Sequence, residues 1–130
     1  IADDPIDYPQ VHRPHLLIAL SQDGYGQQRP HIDPRGLVLI DEELVHPEAF
    51  AEREFAPVAH AAAPATRLAQ EIGHKIMANI VMVGFFASVT KLLTPEAVRK
   101  AVADSVPRGT IDLNLKAFDK GFEWGRSHPS

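Results

Sequence analysis

Two short apolar runs limit what this chain can fold into more than any other feature. Leu16-Leu17-Ile18-Ala19-Leu20 and Leu37-Val38-Leu39-Ile40 contain no alternating polar positions, so neither offers a face for water. A strand of that kind must be covered on both sides, as in a parallel sheet flanked by helices. Breakers separate the two runs. Ser21 is placed to cap a short helix or turn, Gly24, Gly26 and Pro30 keep that helix brief, and Asp33-Pro34-Arg35-Gly36 has turn chemistry, with Gly36 free to be left-handed.

Helical patterns dominate the rest of the chain. Residues 1–15 hold three prolines and no period and read as an extended connector. A weaker apolar patch at Phe55 to Ala59 suggests an edge strand. Ala65 to Ile72 favours helix, with Gly73 as its stop. From Ile76 to Leu93, one stripe of Ile76, Ile80, Val83 and Ala87 is joined by Met77, Val81, Phe85 and Val89 around much of the circumference, so this helix should be buried on most sides. Thr94-Pro95-Glu96 reads as N-cap, first-turn proline and first-turn acid of a helix that ends at Val106-Pro107. A last helix spans about Leu113 to Trp124, with Leu115, Phe118 and Phe122 on its apolar face. The expected fold is α/β, a three-layer α/β/α open sheet. Two or three strands are few for so many helices, so further strands are expected from residues upstream of Ile1, from a partner chain, or from both.

Composition removes several functions. At 130 residues, 45% hydrophobic and 23% charged, the chain fits one soluble globular domain. A net charge of -4 gives no footprint for gripping a phosphate backbone, so nucleic acid is not an expected partner. With no cysteine, the chain has no thiolate for a metal, an iron–sulfur cluster or nucleophilic catalysis. The longest apolar stretch, Ile76 to Val89, is interrupted by Asn79 and is shorter than the roughly 20 residues that span a bilayer. The first residues, Ile1-Ala2-Asp3-Asp4-Pro5, lack an initiating Met and the order of a signal peptide, and the expected compartment is the cytoplasm.

No residue set announces catalysis. His12 and His15 are separated by Pro14, which denies them helical alignment as metal ligands, and the other histidines are scattered; no metal site is expected. Ser21 stands at the carboxyl end of a buried strand, where open α/β sheets place ligands, yet it has no G-x-S-x-G setting, and a small hydrolase built on it is the weakest reading. The glycines of Asp23-Gly24-Tyr25-Gly26 are not followed by a phosphate-binding pattern and read as turn glycines. The acidic runs, including Asp41-Glu42-Glu43, read as solvated faces. Asn79 lies within the most apolar helix and is either buried and hydrogen-bonded, fixing a subunit contact, or turned to water at the helix start.

The succession Gly73-His74-Lys75, Asn79-Ile80-Val81-Met82-Val83-Gly84, Leu93-Thr94-Pro95-Glu96-Ala97 and Asn114-Leu115-Lys116-Ala117-Phe118 with Gly121 resembles the gamma subunit, or gamma-type domain, of the 2-oxoacid:acceptor oxidoreductases. That family includes pyruvate, 2-oxoglutarate and 2-ketoisovalerate enzymes. The front half is similar in the same order, through Asp4-Pro5-Ile6-Asp7-Tyr8-Pro9, Leu17 to Gln22 and Gly36 to Asp41, and the Asp-Tyr-Pro opening leans toward the 2-oxoglutarate branch. The family's domain begins with a strand and a glycine-rich turn that this sequence lacks. The resemblance therefore implies that residues 1–130 are one gamma-type domain, its carboxy-terminal two thirds.

The resemblance also implies a division of labour. The complex would convert a 2-oxoacid to acyl-CoA, using thiamine diphosphate, iron–sulfur clusters and coenzyme A held mainly by partner subunits, which are alpha and beta and, in some members, delta. Electrons would leave to ferredoxin. This chain would be an accessory subunit, inactive alone, with a homodimer as one state open to it when isolated. No catalytic residue carries over. Ser21, Asn79, Asn114, Lys116 and Phe118 are the candidates for an interface or ligand edge. The alternative is a non-catalytic binding or assembly module that reuses the same domain.

Overall fold

The structure is a computed structural model that describes residues 15–46, 59–90 and 93–128. Strand β1 (Leu16–Ala19) leads into helix α1 (Gln22–Gln28), and β2 (Leu37–Asp41) and β3 (Ala59–Ala63) follow. Four more helices complete the described chain: α2 (Ala65–Glu71), α3 (Ala78–Val89), α4 (Pro95–Ser105) and α5 (Ile111–Ser127). The strands form a parallel sheet in the order β1-β2-β3, with Leu16 opposite Leu37 and Leu37 opposite Ala59.

The central strand shows why the two apolar runs lack alternation. Val38 and Leu39 point to opposite faces of β2, and both are fully buried. On one face Leu39, with Ile18, Leu37 and Ala61 at its margin, packs under Leu68, Val81, Met82 and Phe85 of α2 and α3 and Ala117 of α5. On the other, Val38, Ile40 and Ala19 meet Tyr25 of α1, Ile32 and Val45. A third cluster, Ala87, Val98, Val102 and Phe118, fixes α4 against α3 and α5. The result is the expected three-layer α/β architecture.

Several boundaries differ from the sequence reading, each for a physical reason. The third strand is Ala59–Ala63, beyond the expected patch at Phe55 to Ala59, whose first four residues lie outside the described residues, as does the connector at 1–14. An alanine-rich run has little strand propensity of its own, and pairing with buried β2 overrides it. Gly73, at φ +82°, ends α2 as expected, but the chain then makes a 3-10 turn over Lys75–Met77 before α3 begins at Ala78. Ile76 is consequently not on the buried stripe, and it is 84% exposed. Helix α3 ends at Val89, and α5 runs from Ile111 past Trp124 to Ser127. Gly36 closes the expected turn, its N–H donating to the Asp33 carbonyl at 2.8 Å, without a left-handed φ. It must be glycine because a Cβ there would lie 2.4 Å from the His15 carbonyl oxygen.

Candidate functional site

In open parallel sheets, ligands and partners meet the crevice beyond the carboxyl ends of the strands. Here that edge begins with Asp41, the last residue of β2. Its side chain is buried, its Oδ1 accepts the Glu43 N–H at 2.9 Å, and its Oδ2 accepts the Thr66 N–H at 2.9 Å. One carboxylate thus ties the loop after β2 to the first turn of α2. Of the acidic run read as a solvated face, Glu42 and Glu43 are exposed, whereas Asp41 is a buried acceptor and not part of that face. Further along the edge, Gln22 and His46 exchange two hydrogen bonds, at 2.7 and 3.1 Å, which join α1 to the same loop.

Between α2 and α5 this edge opens into a cleft of about 560 Å³, lined among others by Glu42, Arg67, Glu71, Lys120, Glu123 and Trp124. Lys120 Nζ of α5 lies 2.8 Å from Glu71 of α2 across the cleft, and Arg67 Nε on its wall donates at 2.8 Å to Glu43 beside it. The Lys120 hydrogen bond, and then its charge, holds the Glu71 carboxyl below its ordinary pKa. The Trp124 indole meets Phe85 edge-on at 5.7 Å. His128 stacks on the indole at 4.0 Å with the rings 9° from parallel, and its Nδ1 is 2.8 Å from the Trp124 carbonyl. The cleft can hold a charged or flat group between carboxylates and an aromatic wall. Among the described residues no group of three or more His, Asp or Glu side chains could hold a metal ion, and no helix is long and apolar enough to cross a membrane.

The five residues singled out in the sequence do not converge on this cleft. Ser21 caps α1, its Oγ accepting the Gly24 N–H at 3.0 Å, and among the described residues it hydrogen-bonds no imidazole, so it has no general base. Asn79 is exposed in the first turn of α3, which resolves its two readings in favour of the solvent-facing one within this chain. Asn114 is buried but satisfied within its own helix, donating from Nδ2 to the Thr110 carbonyl at 2.9 Å. Lys116 is exposed, and Phe118 is a core residue. The cleft residues Glu71, Lys120 and Trp124 escaped sequence reasoning because they are distant in sequence. The signal that could have found the site is Asp41-Glu42-Glu43, acids placed at the end of a strand buried on both faces.

A family model described as pyruvate ferredoxin/flavodoxin oxidoreductase matches residues 1–124. The chain is 43% identical over 124 residues to the 2-oxoglutarate synthase subunit KorC of Methanocaldococcus jannaschii, across 95% of this chain and 65% of that protein. It is 36% identical over 128 residues to the KorC subunit of Methanothermobacter thermautotrophicus, across 95% and 66%. Among solved structures, the gamma subunit of a keto/oxoacid ferredoxin oxidoreductase from Geobacter sulfurreducens superposes with a TM-score of 0.69 at 28% identity, covering 88% of this chain and 65% of that one. The 2-oxoglutarate:ferredoxin oxidoreductase of Magnetococcus marinus shares the fold, with a TM-score of 0.59 at 20% identity. The chain thus spans just under two thirds of the length of these KorC relatives. With that match across nearly its whole length, the chain belongs to the pyruvate ferredoxin/flavodoxin oxidoreductase family.

Proposed function

We propose that this chain is part of the gamma subunit of a 2-oxoacid:ferredoxin oxidoreductase, with 2-oxoglutarate as the favoured substrate. The observation that carries the reading is the 43% identity to a 2-oxoglutarate synthase subunit across 95% of the chain. In the reaction, the bond between the keto carbon and the carboxylate breaks, carbon dioxide leaves, the acyl group is joined to the thiol sulfur of coenzyme A, and two electrons pass to ferredoxin. Thiamine diphosphate, when bound, supplies the nucleophile toward the keto carbon.

The residues of this chain fit an accessory place in that scheme. They supply no thiolate, so the cysteine ligands of the iron–sulfur clusters come from outside these 130 residues. Alpha and beta subunits, and delta where present, are the partners, and the cytoplasm is the compartment. Asn79 and the protruding Ile76 beside it form the contact surface on the α3 side. We assign residues 1–130 to one gamma-type domain, of which they are the carboxy-terminal two thirds. Leu16, 37% exposed on β1, which is an edge among the described residues, is where a further strand of the domain would add cover.

Co-expression with thiamine diphosphate-binding subunits tests the reading. The assembled complex should reduce ferredoxin when given 2-oxoglutarate and coenzyme A, and the chain alone should show no turnover. Decarboxylation by the isolated chain, or a stable complex only with proteins that bind no thiamine diphosphate, would replace this reading with the alternative of a reused assembly module.

A further inference from the structure

Every cation in the cleft between α2 and α5 already has a carboxylate. Arg67 is committed to Glu43 and Lys120 to Glu71, both at 2.8 Å. Two exposed carboxylates, Glu42 and Glu123, share the same walls, and Glu42 leaves them with one negative charge in excess. Among the described residues no Lys or Arg lies within ion-pair distance of Glu42, and Glu123 has only Arg126, at 3.9 Å. The back of the cleft is the Trp124 indole, fixed from one side by Phe85. Its outer face is covered by His128, an exposed residue that is held, among the described residues, by the stack and by one hydrogen bond to the Trp124 carbonyl.

That parallel stack shows what the indole face accepts: a flat, nitrogen-bearing ring at van der Waals distance. A guanidinium has the same planarity, always carries a positive charge, and presents a fork of N–H donors that matches a carboxylate. We propose that the cleft between α2 and α5 receives an arginine side chain of a partner subunit, stacked on Trp124 in the place of His128 and hydrogen-bonded to Glu42 and Glu123. The excess negative charge of the walls supplies the complementarity, and the committed pairs at Arg67 and Lys120 keep the carboxylates Glu43 and Glu71 from competing for it. This inference rests on the proposed place of the chain in a multi-subunit oxidoreductase.

Trp124 is the single tryptophan of the chain, so it reports on its own cleft. The full chain labelled with fluorotryptophan gives one fluorine NMR signal, which can be followed as unlabelled alpha and beta subunits are added. The signal should move on assembly. The double substitution Glu42→Gln with Glu123→Gln should leave the circular dichroism of the free chain unchanged while weakening assembly about tenfold. N-acetylarginine amide, used alone as a probe, should move the same signal toward its position in the complex, and the isosteric citrulline amide should not. If the complex forms with unchanged affinity in the double variant and the signal stays where it was, the arginine site is wrong while the subunit reading stands. If no complex forms with either chain, both fall.

Discussion

Asp33 does its work at the opposite end of the sheet from the cleft. Its Oδ1 accepts the Arg35 backbone N–H at 2.8 Å, the Arg35 guanidinium donates to both carboxylate oxygens at 3.1 Å, and His15 Nε2 stands 3.5 Å away. The clasp joins the residue before β1 to the turn before β2, where Leu37 N–H also donates to the His15 carbonyl. The Arg35 side-chain hydrogen bond, then its backbone hydrogen bond, hold the Asp33 carboxyl far below the ordinary aspartate range. A carboxyl whose folded pKa is depressed stabilises the fold above its unfolded value, and that stabilisation is lost as pH falls from about 4 toward the native value. Asp33→Asn should therefore lower the thermal midpoint at pH 7, and the difference from the parent chain should shrink steadily in scans taken below about pH 4. A difference that stays constant across that range would mean that the charge of Asp33 contributes nothing. The turn itself was legible in Asp33-Pro34-Arg35-Gly36, but the reason for Gly36 was not. Turn chemistry points to backbone freedom, whereas the structure requires an absent Cβ against the neighbouring strand's carbonyl.

At the level of elements, helices were easier to read than their contacts. Thr94 caps α4 as its sequence predicts, accepting the Ala97 N–H at 3.1 Å, because that signal is local. The apolar circumference of α3 correctly predicted burial on most sides, but not the 3-10 turn that removes Ile76 from it. Only the distance between helices explains the glycines. A Cβ on Gly84 would lie 1.9 Å from the Phe118 carbonyl oxygen, and one on Gly121 would lie 1.8 Å from the Val81 carbonyl oxygen, so α3 and α5 touch backbone to backbone. Alanine in place of glycine in a helix interior ordinarily adds about 1 kcal/mol of stability. Here Gly84→Ala should instead destabilise by at least about 1–3 kcal/mol in urea unfolding, since two helix backbones must separate. Gly109→Ala is the control: nothing lies within 4 Å of its added Cβ, and it should be near neutral. Equal midpoints for the two variants would show that the helices do not meet at this distance.

On the scale of the whole molecule, the sheet's two outer strands give the same physical message as the cleft. β1 and β3 are edges among the described residues, Leu16 is partly exposed on one of them, and Ile76 projects from the turn before α3. A three-layer fold was legible because it follows from apolar runs and helical periods inside the chain. The cleft was not, because it depends on which distant charges the folded layers bring together. If partners cover these surfaces, they bind the native state and not the unfolded one, and the apparent stability must rise with partner concentration. With alpha and beta subunits present at about 100 times their dissociation constant, the gain is about 2.7 kcal/mol, an upward shift in thermal midpoint on the order of 10 °C for a domain this size. Calorimetric scans over a concentration series check this. A midpoint that does not move with partner concentration would mean that these surfaces are complete as they stand, and that the exposed isoleucine and the cleft carboxylates Glu42 and Glu123 face only water.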